Sequence, residues 1–524
     1  MTYTSLRFLL FTLICLTAYY LFPKKHRWCV LLLASIGFYA IVCLKYIAFI
    51  FLTAASTYGG GIMLSNYIDK RSALFKELKK TFTKEQKDTF KKTTTKTKKL
   101  IAAGILVLNF GILAFLKYYN MFALTFGGPA LKLFLPLGIS FYTFQSMGYV
   151  IDIYRGKYKA EKNFFRLLLF VSFFPQIVQG PISFYSSLSC QLYEGHDLSF
   201  FNIKKGVLLI TWGFFKKLVI ADRLVVAVNT IAPDYINYSG TLILSAALIY
   251  ALQLYADFSG GIDISRGVSE LFGIELAENF KRPYFSRTIS EYWRRWHITL
   301  GAWLKEYLFY PIAMSKLFMN FSKFLKKHGN AKAAKVLPVS IASLITFIII
   351  GIWHGANWKY AAFGIWNGGI IMVSTLLEDS FEHFKAKLKI KNENPLFIAF
   401  QMLRTFFIVL VGYYFDIAND FGSAMKMMIL SVADFHISET AKLDFFRELM
   451  VSRREMAIVF MAVIVMLVVS LIQEKKKDTT VREMIISRGF IVEAAVFVVL
   501  FFSVVVFGVY GPGTNPADFY YMQF

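Results

Sequence analysis

Two histidines stand where an ionisable ring is out of place. His354 closes the apolar run "LPVSIASLITFIII" (337–350) inside "GIWHGANW" (351–358). His297 lies in "SEYWRRWHITLGAW" (290–303), a stretch crowded with arginine and aromatic residues. An ionisable group in a membrane-type segment is by default a functional-site hypothesis; the alternative is a ring whose nitrogens are satisfied by neighbouring helices. Acyl transfer from a thioester to a hydroxyl needs the hydroxyl proton removed, and an imidazole with a pKa near 6.5 suits that task. The thioester oxygen needs a hydrogen-bond donor, which a tryptophan, an asparagine or a backbone N–H can supply. Trp353, Asn357 and Trp358, beside His354, are expected to line such a site. Arg294 and Arg295, just before His297, would suit a phosphate-bearing donor. No nucleophile elbow of the GxSxG type and no HExxH metal pair is present.

The elements that must position these residues are membrane helices. The chain of 524 residues is 56% hydrophobic and 18% aromatic but only 17% charged. Mean hydropathy is +0.52. A soluble domain is usually about 45–50% apolar and about 25% charged. Apolar runs long enough to span a bilayer fall at 5–22, 28–44, 46–65, 100–117, 133–151, 206–232, 241–258, 337–353, 358–377, 396–417, 456–472 and 487–510. The first lacks the basic start and cleavage site of a signal peptide and reads as a retained span. The net charge of +25 sits in loops between these runs. That is the positive-inside pattern, for which lipid headgroups are sufficient partners, and it argues against nucleic acid. The stretch 70–99 holds twelve Lys/Arg against Glu77, Glu85 and Asp88, and reads as a basic cytoplasmic loop, mobile in its later part. Placing it inside also puts "PKKHR" (23–27), "YRGKYKAEK" (154–162), "KLKIK" (387–391) and "EKKK" (474–477) inside, and both termini outside.

Three segments resist a simple span. "FFPQIVQGPISF" (173–184) combines two prolines and a glycine with apolar residues, and is either a re-entrant segment or an interfacial loop. "LVIADRLVV" carries Asp222 and Arg223 shortly after Lys216 and Lys217, which pairing or snorkelling would make tolerable. Residues 265–313 break the apolar pattern and read as a cytoplasmic-side interfacial segment. The four cysteines form no CxxC, so neither a disulfide framework nor a zinc site is expected.

The chain resembles the membrane-bound O-acyltransferases. "PYFSRTISEYWRRWHITLGAWLKEYLFYPI" (283–312) and "GIWHGANWKYAAFGIWNG" (351–368) carry the likeness most closely, with the bacterial alginate O-acetyltransferase branch nearest. "LPLGISFYTFQSMGYVIDIYRG" (135–156), "FFPQIVQGPI" (173–182), "FFKKLVIADR" (214–223) and "YALQLYADFSGGIDISRGVSELFGIELAENFKRPY" (250–284) follow in order. The resemblance implies an all-α polytopic membrane protein. It would form a single domain over residues 1–524, with a ring of about 11–12 transmembrane helices and re-entrant or interfacial helices around a central pore. It implies His354 as the intramembrane catalytic histidine and His297 as its companion. It implies acetyl-CoA as donor substrate with no cofactor or metal, a cell-surface polysaccharide as acceptor, an exported SGNH-hydrolase-like transferase as partner, and residence in a bacterial plasma membrane. The tail "FYYMQF" (519–524) resembles the FxYxxF end of that branch, which implies Tyr521 as a transient acyl carrier within the extracytoplasmic segment 511–524. An ordered aromatic terminus packed at the interface is the alternative. Lys305–Glu306 stands where Arg-Asp is frequent in the family, and Asn367 where a histidine is common. D-alanyl transfer from a carrier protein to teichoic acid is the rival within the superfamily. A transporter is the rival outside it, though no internal repeat is visible.

Overall fold

The computed structural model describes residues 2–441, 445–449, 451–476 and 478–510. Among them the structure is helical throughout, with no strand and a single isolated backbone bridge, Phe280 to Trp296. Eleven of the twelve apolar runs fall largely on helices, whereas 133–151 is irregular as far as Gly138 and helical only from Ile139. Seven helical stretches are long and apolar enough to cross a membrane, or eight if the bent pair Trp358–Leu376 and Glu378–Lys387 is one span. Others fall short of that test: Leu6–Leu21 has only 16 residues. Phe421–Ala433, a 13-residue apolar helix, is too short to stand out as a span in the sequence.

The chain divides into two compact units, Met1–Ile203 with Val268–Ala277, and Lys204–Gly267 with Glu278–Phe524. In the first, Ile47–Leu78 and Lys84–Thr125 form a long helical hairpin. The basic stretch 70–99 is therefore helical on both sides of a short turn, not a mobile loop. A capping box at Thr83 and Gln86 starts the second arm. Arg71 stacks on Phe90 at 3.7 Å and donates to Thr94 at 3.0 Å, so the arms hold each other beyond the apolar part. The segment 173–184 is a four-residue helix, Phe174–Ile177, followed by irregular backbone, and residues 173–182 are buried. Tyr3 donates to the carbonyl of Pro175 at 2.6 Å, and Ser35 accepts from the Phe174 N–H at 3.1 Å. Irregular backbone is thus covered by protein, as an apolar environment requires.

The second unit holds both histidines. Helix Phe200–Phe214 runs through a π-helical turn, Phe215–Ala221, into Asp222–Ile231. It packs closely on Gly240–Leu271: a Cβ at Gly213 would lie 2.7 Å from the Gly260 carbonyl oxygen, so only glycine fits. That approach lets Lys216 reach Asp263 at 2.7 Å, while Lys217 reaches Asp222 at 2.9 Å and Asp257 at 2.5 Å. The buried charges of "LVIADRLVV" are therefore paired, as a low-dielectric setting demands. Arg223 meets Glu455 at 3.5 Å and Lys204 meets Glu493 at 2.8 Å, tying in helices Arg453–Lys475 and Phe490–Phe507.

Candidate active site

His354 is the last residue of helix Ala331–His354, and the chain turns at once into Trp358–Leu376. Glycine makes this turn possible. A Cβ on Gly351 would sit 2.1 Å from the Tyr360 carbonyl oxygen and 2.9 Å from the Gly364 N. One on Gly364 would sit 2.4 Å from the Phe347 carbonyl oxygen. The two backbones touch, so the position of His354 is set by helix against helix rather than by adjustable side chains. Asn357 caps the second helix, accepting from Lys359 N–H at 3.0 Å and donating to the Asn419 carbonyl at 3.2 Å.

His297 is held in a different way. It links two short helices, Ile289–Arg295 and Ile298–Leu304, with φ 47° and ψ 52°. A non-glycine residue in the left-handed region carries strain that its surroundings must offset. The strand-like contact of residues 279–281 with 295–298 does so: Lys281 N–H donates to Arg295 O at 2.9 Å and Ile298 N–H to Asn279 O at 3.0 Å. Asn279 Oδ1 then accepts from the N–H and the hydroxyl of Thr299, both at 2.9 Å, and contacts His297 Nδ1 at 3.3 Å. The backbone donor at Thr299 fixes that Asn279 atom as oxygen. His297 Nδ1 must therefore carry the proton, which leaves the lone pair on Nε2. Burial first, and the nearby His354 second, push the His297 imidazole well below the usual histidine range, so the ring is neutral.

The two histidines share one aromatic core. Trp353 lies between them, its ring centroid 6.3 Å from that of His297 and 5.3 Å from that of His354. Phe258 packs edge-on against His297 at 4.9 Å, and Phe363 against His354 at 5.3 Å. A cavity beside His354, with room for about one water, is lined also by Trp293, Asn367, Tyr413 and Asp416. Trp293 donates to Asn367 Oδ1 at 3.2 Å, and Tyr413 joins Tyr292 at 2.8 Å and Tyr284 at 3.0 Å through their hydroxyls.

The other residues singled out in the sequence divide. Trp353 is in the core, but Trp358 is 51% exposed at the start of its helix and Asn357 serves as a cap. Arg295 is engaged by Glu474, with two contacts at 3.1 Å, and by Glu291 at 2.8 Å. Arg294 is exposed. Tyr521 and the segment 511–524 lie outside the described residues. Asn279 and Asp416 escape the sequence reading. Asn279 sits 18 residues before His297 in "ENFKRPY", and its polar side chain amid aromatic residues was the available signal.

Residues 160–415 match the membrane-bound O-acyltransferase family. They form a membrane-bound O-acyltransferase domain. Both histidines and Asn279 lie within it. The chain is 34% identical over 58% of its length to a probable alginate O-acetylase of Pseudomonas putida, and 32% identical over 62% to a peptidoglycan O-acetyltransferase of Helicobacter pylori. It is 28% identical over 55% of its length to a teichoic acid D-alanyltransferase of Bacillus subtilis. The matches span 57%, 63% and 69% of those relatives' own lengths. The family and the all-α polytopic membrane architecture expected from the sequence are thus met. In the acyltransferase domain the two histidines come from separate motifs, and one tryptophan joins them.

Proposed function

We propose that the chain is a membrane O-acyltransferase that moves an acetyl group from acetyl-CoA to hydroxyls of a polysaccharide on the far side of the membrane. The observation that carries this reading is the pairing of His297 and His354 around Trp353 in a buried aromatic core. In the reaction, His354 takes the proton of an attacking hydroxyl as its oxygen forms a bond to the thioester carbonyl carbon. The tetrahedral intermediate collapses with cleavage of the C–S bond, and the proton passes to the thiolate, so no net proton is consumed. His297, neutral and tied at Nδ1, offers Nε2 as an acceptor that orients the thiol-side proton. The Trp353 N–H is the donor within the core that suits the oxyanion, while the Trp293 N–H is held by Asn367 Oδ1. Arg294 is the exposed cation for the donor's phosphates; Arg295 serves through its ion pairs as a brace. Tyr521 acts as the first acceptor, and an exported transferase completes delivery. Both termini lie outside a bacterial plasma membrane.

The likeness to the relatives named for alginate and peptidoglycan acetylation supports an acetyl donor and a polysaccharide acceptor. The relative named for D-alanylation supports the second reading, a D-alanyl donor on a carrier protein and teichoic acid as acceptor. Purified protein in proteoliposomes should transfer label from acetyl-CoA to its own C-terminal peptide, and His354→Ala should lose this by ~10²–10⁴-fold. Labelling from a D-alanyl carrier protein and none from acetyl-CoA would replace the first reading with the second. Undiminished transfer by His354→Ala would defeat both.

A further inference from the structure

A second cavity lies in the same unit and meets the support of His297 at Asn279. It measures about 520 Å³, within the range of ligand sites. Its walls are hydrocarbon: Leu208, Trp212, Val469, Val496, Val499 and Leu500 face it from helices Phe200–Phe214, Arg453–Lys475 and Phe490–Phe507. Its polar lining includes four bases, Lys216, Arg266, Arg282 and Arg482, against two acids, Asp263 and Glu278; Lys216 pairs with Asp263 at 2.7 Å, and Arg282 pairs with Glu474 at 2.6 Å. Gln473, which lines the cavity, is followed by Glu474, held by Arg282 and Arg295, and then by the exposed Lys475 and Lys476. Asn279 borders it as well. The Asn279 oxygen is used by Thr299 and His297, whereas its Nδ2, buried, has no hydrogen-bond partner among the described residues. A buried amide donor left open is costly, of the order of 1–3 kcal/mol, and points to an acceptor that arrives with a ligand.

We infer that this cavity is a binding site for one anionic phospholipid, which places an acyl chain between helices Arg453–Lys475 and Phe490–Phe507. The chemistry matches in order along the ligand. The phosphate meets the basic end near Arg282 and Arg482. An ester carbonyl, one glycerol away, reaches the Asn279 amide. The hydrocarbon chain fills the apolar walls. A pantetheine arm fits less well, because its amide groups would face valine and leucine without partners. The two flanking helices are the least buried of the candidate spans, with 17% and 6% of their apolar windows covered by protein, so the bilayer supplies the ligand locally. Because Asn279 also holds His297, lipid occupancy would stiffen the histidine's support; that consequence rests on the acyltransferase reading, while the binding itself does not.

The test uses the full chain in nanodiscs of phosphatidylglycerol or of phosphatidylcholine, each doped with the same lipid carrying a diazirine in its acyl chain. Photolysis should label peptides from 465–473 and 495–503 in preference to the outward faces of other spans, and more in phosphatidylglycerol. Arg482→Gln should reduce the preference for the anionic lipid about fivefold, since one basic residue at a lipid surface contributes about 1 kcal/mol. Val496→Trp, which fills the cavity, should abolish the labelling, and native mass spectrometry should show loss of one retained diacyl lipid. Uniform labelling along all spans of the wild-type protein would overturn the inference, and this arm does not depend on how any variant folds. Equal labelling by the two lipids would overturn the anionic headgroup. Protection of these peptides by excess acetyl-CoA would overturn the lipid and give the cavity to the donor.

Discussion

Replacing Gly351 by alanine adds one methyl group three residues before His354, yet the structure leaves it no room. The new Cβ would lie 2.1 Å from the Tyr360 carbonyl oxygen, 2.9 Å from Gly364 N and 3.0 Å from Gly364 Cα. Ordinary contact between non-bonded heavy atoms is about 3.5 Å or a little less when oxygen is involved, so helices Ala331–His354 and Trp358–Leu376 must part by roughly 1 Å. All three obstacles are backbone atoms, and no rotamer change can absorb the shift. His354 ends the first of these helices and moves with it. A misplacement of about 1 Å at a reacting group costs on the order of 10²-fold in rate. Gly369, on the second helix, is the control: nothing lies within 4 Å of its Cβ position. Label transfer from acetyl-CoA, measured at matched protein level in membranes, should therefore fall about 10²-fold for Gly351→Ala and stay near wild type for Gly369→Ala. A Gly351→Ala protein within about threefold of wild type, far short of that loss, would show that close backbone approach does not set the histidine's position.

Lys217→Met should destabilise the protein by about 3–5 kcal/mol, because it leaves Asp222 and Asp257 buried without their cation; thermal unfolding in detergent reads this, and an unchanged midpoint would contradict the pairing. Asn279→Asp should put a carboxylate against His297 Nδ1 and raise the ring's pKa from its depressed value, since an opposite charge favours the imidazolium. The wild type should show no activity change from His297 titration near neutral pH, whereas Asn279→Asp should gain activity as pH rises through the raised pKa; matching pH profiles would remove Asn279 from the mechanism. Tyr521→Phe should stop acetyl appearing on the C-terminal peptide while Tyr520→Phe leaves it in place, read by mass spectrometry; equal acetylation of both variants would exclude Tyr521 as carrier.

The twelve apolar runs were legible because hydrocarbon composition alone reports a bilayer, and both histidines stood out against it. The helical hairpin around residues 70–99 was not, because dense lysine and threonine obscure its few apolar residues; capping at Thr83, the Arg71–Phe90 stack and the packing of Phe75 on Phe90 hold it. Arg295 looked like a ligand for phosphate because its partner Glu474 is 179 residues away in the chain. Asn279 was hidden for a related reason. Its role appears only once the left-handed turn at His297 brings Thr299 and the imidazole to one oxygen.

The central claim is that His297 and His354 act as one acyl-transfer unit. A double-mutant cycle on the rate of single-turnover acyl transfer in proteoliposomes tests it most directly, with His297→Ala, His354→Ala and the double variant at equal protein density. Groups that act together are strongly non-additive, so the double variant should be no slower than His354→Ala alone, within about threefold. Losses that multiply across the two substitutions would mean independent roles and would contradict the shared site around Trp353.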